Sequence, residues 1–158
     1  MQSDLLNLCS QARQFLEPRW LLLHQSWGDP QPKTTSEYMC RYTSIFLKAI
    51  LNVGNCPSWR LVAGRPIARE YEGTQKGCFG FRRSDGLFFD HCWVQSSNLI
   101  VDITADQFED KAIIITPIGD SRYCPNLEEA NFYDDITKLS HRPQKWLREW
   151  NEDIAELI

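Results

Sequence analysis

Several things are scarce or missing in this sequence, and each absence removes a class of function. No apolar run approaches the roughly 18 residues that a membrane-spanning helix needs. No basic block or aromatic-interleaved basic stripe is present to follow a phosphate backbone, and 17 Lys and Arg against 21 Asp and Glu leave a net charge of −4. Neither nucleic acid nor a membrane is therefore an expected partner. Met1-Gln2-Ser3-Asp4 lacks the positive start of a secretory signal, so the expected location is the cytoplasm, or export by machinery that needs no cleavable signal. There is no internal repeat, no low-complexity tract and no CxxC pair.

What is present fits one domain spanning 1–158, long enough for a single sizeable core. The six cysteines at 9, 40, 56, 78, 92 and 124 would permit fifteen pairings if all were oxidised. Without a secretory signal, those other than Cys40 read as reduced, small, buried hydrophobes. A zinc site from Cys78, His91 and Cys92 is disfavoured because adjacent residues on a strand face opposite ways. No metal and no cofactor are expected.

Leu5, Leu8, Cys9, Ala12, Phe15 and Leu16 have helical spacing, and Pro18 interrupts before a second apolar run at 20–27, which predicts a broken helical hairpin or two short helices. Turn residues fill 28–36. Thr34-x-x-Glu37 has the form of a capping box, and Tyr38, Tyr42, Ile45, Phe46, Ala49, Ile50 and Val53 then predict a helix ending at Gly54. A turn at 55–57 leads to a strand at 59–63, which 66–71 continues or pairs with. Segment 72–86, rich in Gly, Lys, Arg and Ser, reads as a mobile loop or a hairpin carrying Cys78-Phe-Gly-Phe81, and is a candidate substrate gate with a plain surface loop as the competing reading. Strands are expected at 87–95, 98–104 and 111–116, and helices at 128–139 and 143–158, the last with Trp146, Trp150, Ile154 and Leu157 on one face. The order suggests α+β with an antiparallel sheet.

Three residues carry the candidate chemistry. If Ser96-Ser97 is a two-residue turn, Val94 pairs with Leu99, Cys92 with Val101, and His91 directly faces Asp102. Cross-strand neighbours stand about 5 Å apart at Cβ, within reach of an imidazole–carboxylate bond. Cys40 lies near the start of the strongest helix, where free N–H groups favour an ionised thiol. If Thr34 is the cap, Cys40 falls in the second turn and gains less. A thiolate that attacks a carbonyl, an imidazole that protonates the leaving group and a carboxylate that fixes the ring form a catalytic triad. Gln107 and Trp93 are accessory candidates, and the Cys40 backbone N–H is a candidate oxyanion donor. Asp90 is read equally as a strand residue facing solvent or a substrate contact.

The segment from Glu37-Tyr-Met-Cys40 to Gly64 resembles the nucleophile helix and following strand of the transglutaminase-like superfamily, within the wider papain-like fold. His91-Cys-Trp93-Val and Val101-Asp102-Ile-Thr104 resemble its histidine and aspartate strands. The match runs over about 31–107. A short interval between His91 and Asp102, and Asp-Ile-Thr in place of Asp-Pro-Thr, mark a divergent member. The resemblance implies a nucleophile helix packed on an antiparallel sheet with additional N- and C-terminal helices. It also implies thioester chemistry on a protein or peptide substrate: peptide hydrolysis, glutamine deamidation or amine transfer. A binding module that has lost turnover on the same fold is the alternative outside enzymes.

Overall fold

Cys9, Ala12, Leu16, Trp20 and Leu23 recur at helical intervals and are buried on one face of a single helix, α1 (Gln2–Trp27). This is shown by a computed structural model that describes residues 2–53, 58–66 and 78–156. The expected break at Pro18 does not occur. Proline removes the N–H that would bond the Gln14 carbonyl, but both residues face solvent, so water can take that carbonyl. The next residue reinforces the turn: the Arg19 guanidinium bonds the Phe15 carbonyl at 2.8 Å and lies 3.6 Å over the Phe15 ring.

The second helix, α2 (Cys40–Leu51), begins later than the Thr34 capping box suggests. Thr34 Oγ1 is engaged with Ser36 Oγ, and residues 35–38 form a turn in which Glu37 N–H bonds the Thr34 carbonyl. Glu37 reaches back to the Lys33 N–H. Tyr38 then takes φ 66°, a left-handed conformation that interrupts any helix before Cys40. Phe46, Leu47 and Ile50 bury the inner face of α2, and Ser44 Oγ donates to the Cys92 carbonyl at 3.1 Å.

The strands are β1 (Arg60–Gly64), β2 (Gly80–Arg82), β3 (Phe88–Phe89), β4 (His91–Gln95), β5 (Leu99–Asp102), β6 (Ile114–Pro117), β7 (Tyr123–Cys124) and β8 (Leu127–Glu128). They form a five-stranded sheet of order β6-β5-β4-β1-β8 and a three-stranded sheet of order β3-β2-β7, with antiparallel neighbours throughout. The expected strand 87–95 is divided at Asp90. The expected strand 98–104 stops at Asp102, and a 3-10 turn (Ala105–Phe108) follows. After a second 3-10 turn (Glu129–Phe132), α3 (Tyr133–Leu139) and α4 (His141–Glu156) complete the chain. Trp146 and Trp150 are buried in the core, whereas Ile154 is exposed. The architecture is α+β.

Alternation along the strands gives the large sheet two buried faces. Leu61, Ala63, Cys92, Val94 and Val101 join α1, α2 and α4 in one core, while Val62, Trp93 and Ile100 meet Phe81, Phe108 and Tyr123 in another. The small sheet covers that second face. Two glycines permit the close approach: a Cβ at Gly64 would overlap Gly80 N and Cys124 O, and Gly80 (φ 108°) lies against Phe89 O.

The Gly54 stop, the 55–57 turn, Cys56, the 67–71 extension, the first part of the 72–86 loop and Leu157 lie outside the described residues. Cys9 and Cys92 are buried free thiols, as the composition suggested, but Cys78 is exposed and Cys124 half-buried. Among the described residues, no helix is long and apolar enough to cross a membrane.

Candidate active site

The turn between β4 and β5 is centred on Ser97-Asn98 rather than Ser96-Ser97. Ser96 N–H bonds the Leu99 carbonyl at 2.9 Å, and Ser96 Oγ accepts the Leu99 N–H at 3.1 Å. Moving the centre by one residue shifts the register by two, so Val94 pairs with Val101 and Gln95 with Ile100. The direct His91–Asp102 pairing is therefore corrected to a diagonal one. Because a shift of two preserves side-chain parity, both residues stay on the same face. Their side chains meet there: His91 Nε2 donates to Asp102 Oδ2 at 2.7 Å.

Asp102 is buried and its two oxygens are fully used. Oδ2 also accepts the Tyr123 hydroxyl at 2.8 Å, and Oδ1 accepts the Thr104 N–H at 2.9 Å and the Thr104 hydroxyl at 3.2 Å. A carboxylate offers about four lone-pair sites, and here four donors occupy them. Burial alone would raise its pKa, but the His91 charge and these donors outweigh that cost and hold it below the ordinary carboxylate value. Burial likewise opposes charge on His91. The Asp102 carboxylate prevails, with help from Cys40, and the imidazole pKa rises above its ordinary value. Desolvation and the adjacent carboxylate push the Tyr123 phenol up, so it stays a donor.

Cys40 is the first residue of α2, so the reservation about its distance from the helix start is removed. Met39, the residue before it, makes no side-chain capping bond, which leaves first-turn N–H groups at this end without a side-chain acceptor. His91 is the first residue of β4, and the helix start and strand start come together. Arg41 reaches Asp90 at 3.4 Å, joining the residue after the thiol to the residue before the imidazole. His91 Nδ1 is buried and has no hydrogen-bond partner among the described residues, while the Cys40 thiol is near enough to raise the ring's proton affinity. The ring is hemmed in by Phe108 at 4.9 Å and Phe81 at 5.7 Å, both edge to face.

Cys40 opens on a cavity of about 830 Å³ whose walls include Tyr38, Arg41, Asp90, Gln107 and Phe108. Gln107 Oε1 accepts the Tyr38 N–H at 3.4 Å, and its buried Nε2 has no partner among the described residues. Of the two accessory candidates, only Gln107 lines this cavity. Trp93 is buried behind His91, its indole N–H donating to Gln95 at 3.2 Å and its ring 5.1 Å from Tyr123. Asp90 is exposed and bonded to Arg41 and to Arg65. Arg83, from the described end of the 72–86 loop, also lines the cavity. Cys92 joins the core with α1, α2 and α4, while His91 meets Phe81, Phe108 and Tyr123 on the other face, as strand alternation requires.

Sequence reasoning missed Tyr123 and Arg13. Tyr123 sits in a two-residue strand, too short to show a period. Arg13 carried a signal: it falls on the apolar face of α1 beside Cys9, Ala12 and Leu16, where a charge needs a partner. Its guanidinium bonds Asp106 at 2.6 and 2.9 Å and the carbonyls of Ile103 and Ala112. Asp106 also accepts the Ser36 hydroxyl at 2.6 Å. The segments carrying Gln107 and leading to Cys40 are thus tied to the same helix. No protein-family model, curated protein or solved structure matches the chain.

Proposed function

We propose that this chain is a cysteine-dependent hydrolase of amide bonds, acting on a protein or peptide through Cys40, His91 and Asp102. One observation carries the reading: a buried imidazole, fixed by a saturated carboxylate, has its other nitrogen unbonded among the described residues and near a thiol that starts a helix and opens on a cavity. The resemblance of the segments carrying these residues to the transglutaminase-like superfamily accords with it.

In this reading His91 Nδ1 takes the Cys40 proton and the thiolate attacks the substrate carbonyl carbon. The resulting oxyanion is met by the Cys40 N–H and Gln107 Nε2, donors that lack other side-chain partners. Collapse of this intermediate breaks the C–N bond, and His91 returns the proton to the departing nitrogen. Water, deprotonated by His91, then opens the thioester and frees the acid. An amine in place of water would give transfer.

Mass spectrometry of candidate proteins after incubation separates the outcomes. Deamidation adds about one dalton, proteolysis gives fragments and transfer gives an adduct. Iodoacetamide labelling tests the thiol itself: Cys40 is expected to react faster than exposed Cys78 near neutral pH, and to lose that advantage in His91→Ala. Equal labelling of the two cysteines, unchanged by His91→Ala, would leave an inactive binding module as the better reading.

A further inference from the structure

We propose that Tyr123 is a positioning residue of this site, its hydroxyl setting through Asp102 how tightly His91 holds its proton. The inference rests on the hydrolase reading above. Tyr123 comes from the small sheet, outside the helix and strands that supply the three reacting residues, yet its hydroxyl meets the same Oδ2 that accepts His91 Nε2. A residue needed only for packing would fill this space equally well as phenylalanine. Here the hydroxyl draws negative charge from the one oxygen that faces the imidazole.

The ring is held in place for this task. It packs 5.2 Å from Phe81 and 5.1 Å from Trp93, both near edge to face, and the residue is almost wholly buried. Asp102 is the carboxylate it addresses, and His91 lies beyond it. Among the described residues, the other charged or titratable groups acting on the cluster are Cys40 and Arg41 from α2, Cys92 from β4, and Arg122 and Asp120 from the turn before β7. Arg122 and Asp120 pair with each other at 2.8 Å. That leaves Tyr123 as the small-sheet group hydrogen-bonded to the Asp102–His91 pair.

The test follows the rate of Cys40 alkylation by iodoacetamide as a function of pH, which requires no substrate. The ionised thiol beside a charged imidazole gives one inflection, and loss of the imidazole proton gives a second at higher pH. Tyr123→Phe removes the donor, leaves Asp102 more basic and moves the second inflection upward by about one pH unit. Replacing Tyr123 with 3-fluorotyrosine, a stronger donor of almost the same shape, moves it downward. A purely structural tyrosine would change the melting temperature and leave the inflection in place, and that result overturns the proposal. Should Tyr123→Phe fail to fold by circular dichroism, the fluorotyrosine shift decides alone. Failure of the hydrolase reading looks different: the wild-type profile then has no His91-dependent inflection, and this inference falls with it.

Discussion

Arg13 grips both carboxylate oxygens of Asp106, at 2.9 and 2.6 Å, across 93 positions of sequence. The arginine is largely buried and the aspartate mostly so. Through Ser36, which donates to the same aspartate, the contact gathers three segments beside the candidate nucleophile. Removing one member of such a pair strands the other in a poorly solvated place. Arg13→Met is expected to lower unfolding free energy by about 2–4 kcal/mol, read by urea denaturation. The Arg13→Met, Asp106→Leu double variant should recover part of that loss; no recovery would mean the pair itself contributes little.

Gln107 presents a different balance. Its Nε2 has no partner to lose among the described residues, so Gln107→Ala should change stability by no more than about 1 kcal/mol. Turnover of an amide substrate should nevertheless fall about a hundredfold, mainly in kcat, if this amide meets the oxyanion. Gln107→Glu keeps an acceptor for the Tyr38 N–H and puts negative charge where the oxyanion forms, so it should be slower still. Full activity in both variants would remove Gln107 from the mechanism.

The opposed pKa shifts of Asp102 and His91 define a pH window. Asp102 is depressed, so its contribution to stability is complete above the ordinary carboxylate value of about 4 and fades as pH falls through its lowered folded value. His91 is raised to about 10, so its contribution is complete below the ordinary imidazole value and fades as pH rises toward that folded value. Both contributions are complete together between about pH 4 and 6.5. Denaturation curves recorded across pH should show the alkaline decline in wild type and a shallower one in His91→Ala. Parallel declines would disprove the linkage.

Gly64→Ala tests the seam between the sheets. The added carbon meets backbone atoms of Gly80 and Cys124, which cannot turn aside as a side chain can. A loss of about 2–4 kcal/mol is expected, with a lower melting temperature. Gly86→Ala, at a position with open space but φ 88°, should cost only about 1 kcal/mol.

The helix carrying Cys40 was legible because its apolar positions repeat every three or four residues over several turns. Its start was not. Thr34 and Glu37 have the right chemistry for a capping box, but a left-handed Tyr38 intervenes, and a bulky residue gives no warning of that conformation. The meeting of His91 with Asp102 was legible through parity alone, which survives a two-residue error in register. Neither Ser96-Ser97 nor Ser97-Asn98 is a strong turn signal, so the sequence could not choose between them. The expected break at Pro18 failed because the proline rule weighs a missing bond without knowing which carbonyls face water. Of the small sheet, only the stretch around Phe81 was legible, as one arm of a possible hairpin, and it does pair with Phe88–Phe89; with strands of two or three residues, no alternation develops to place the rest.

The saturated Asp102 carboxylate also governs time. Turning the His91 ring over would put Cε1 where Nε2 stands and break a 2.7 Å bond in a place with no exposed surface from which solvent could replace it. Ring flips should therefore be as rare as the opening of the surrounding core, and deuterium should reach the Nε2 hydrogen only at the pace of those openings.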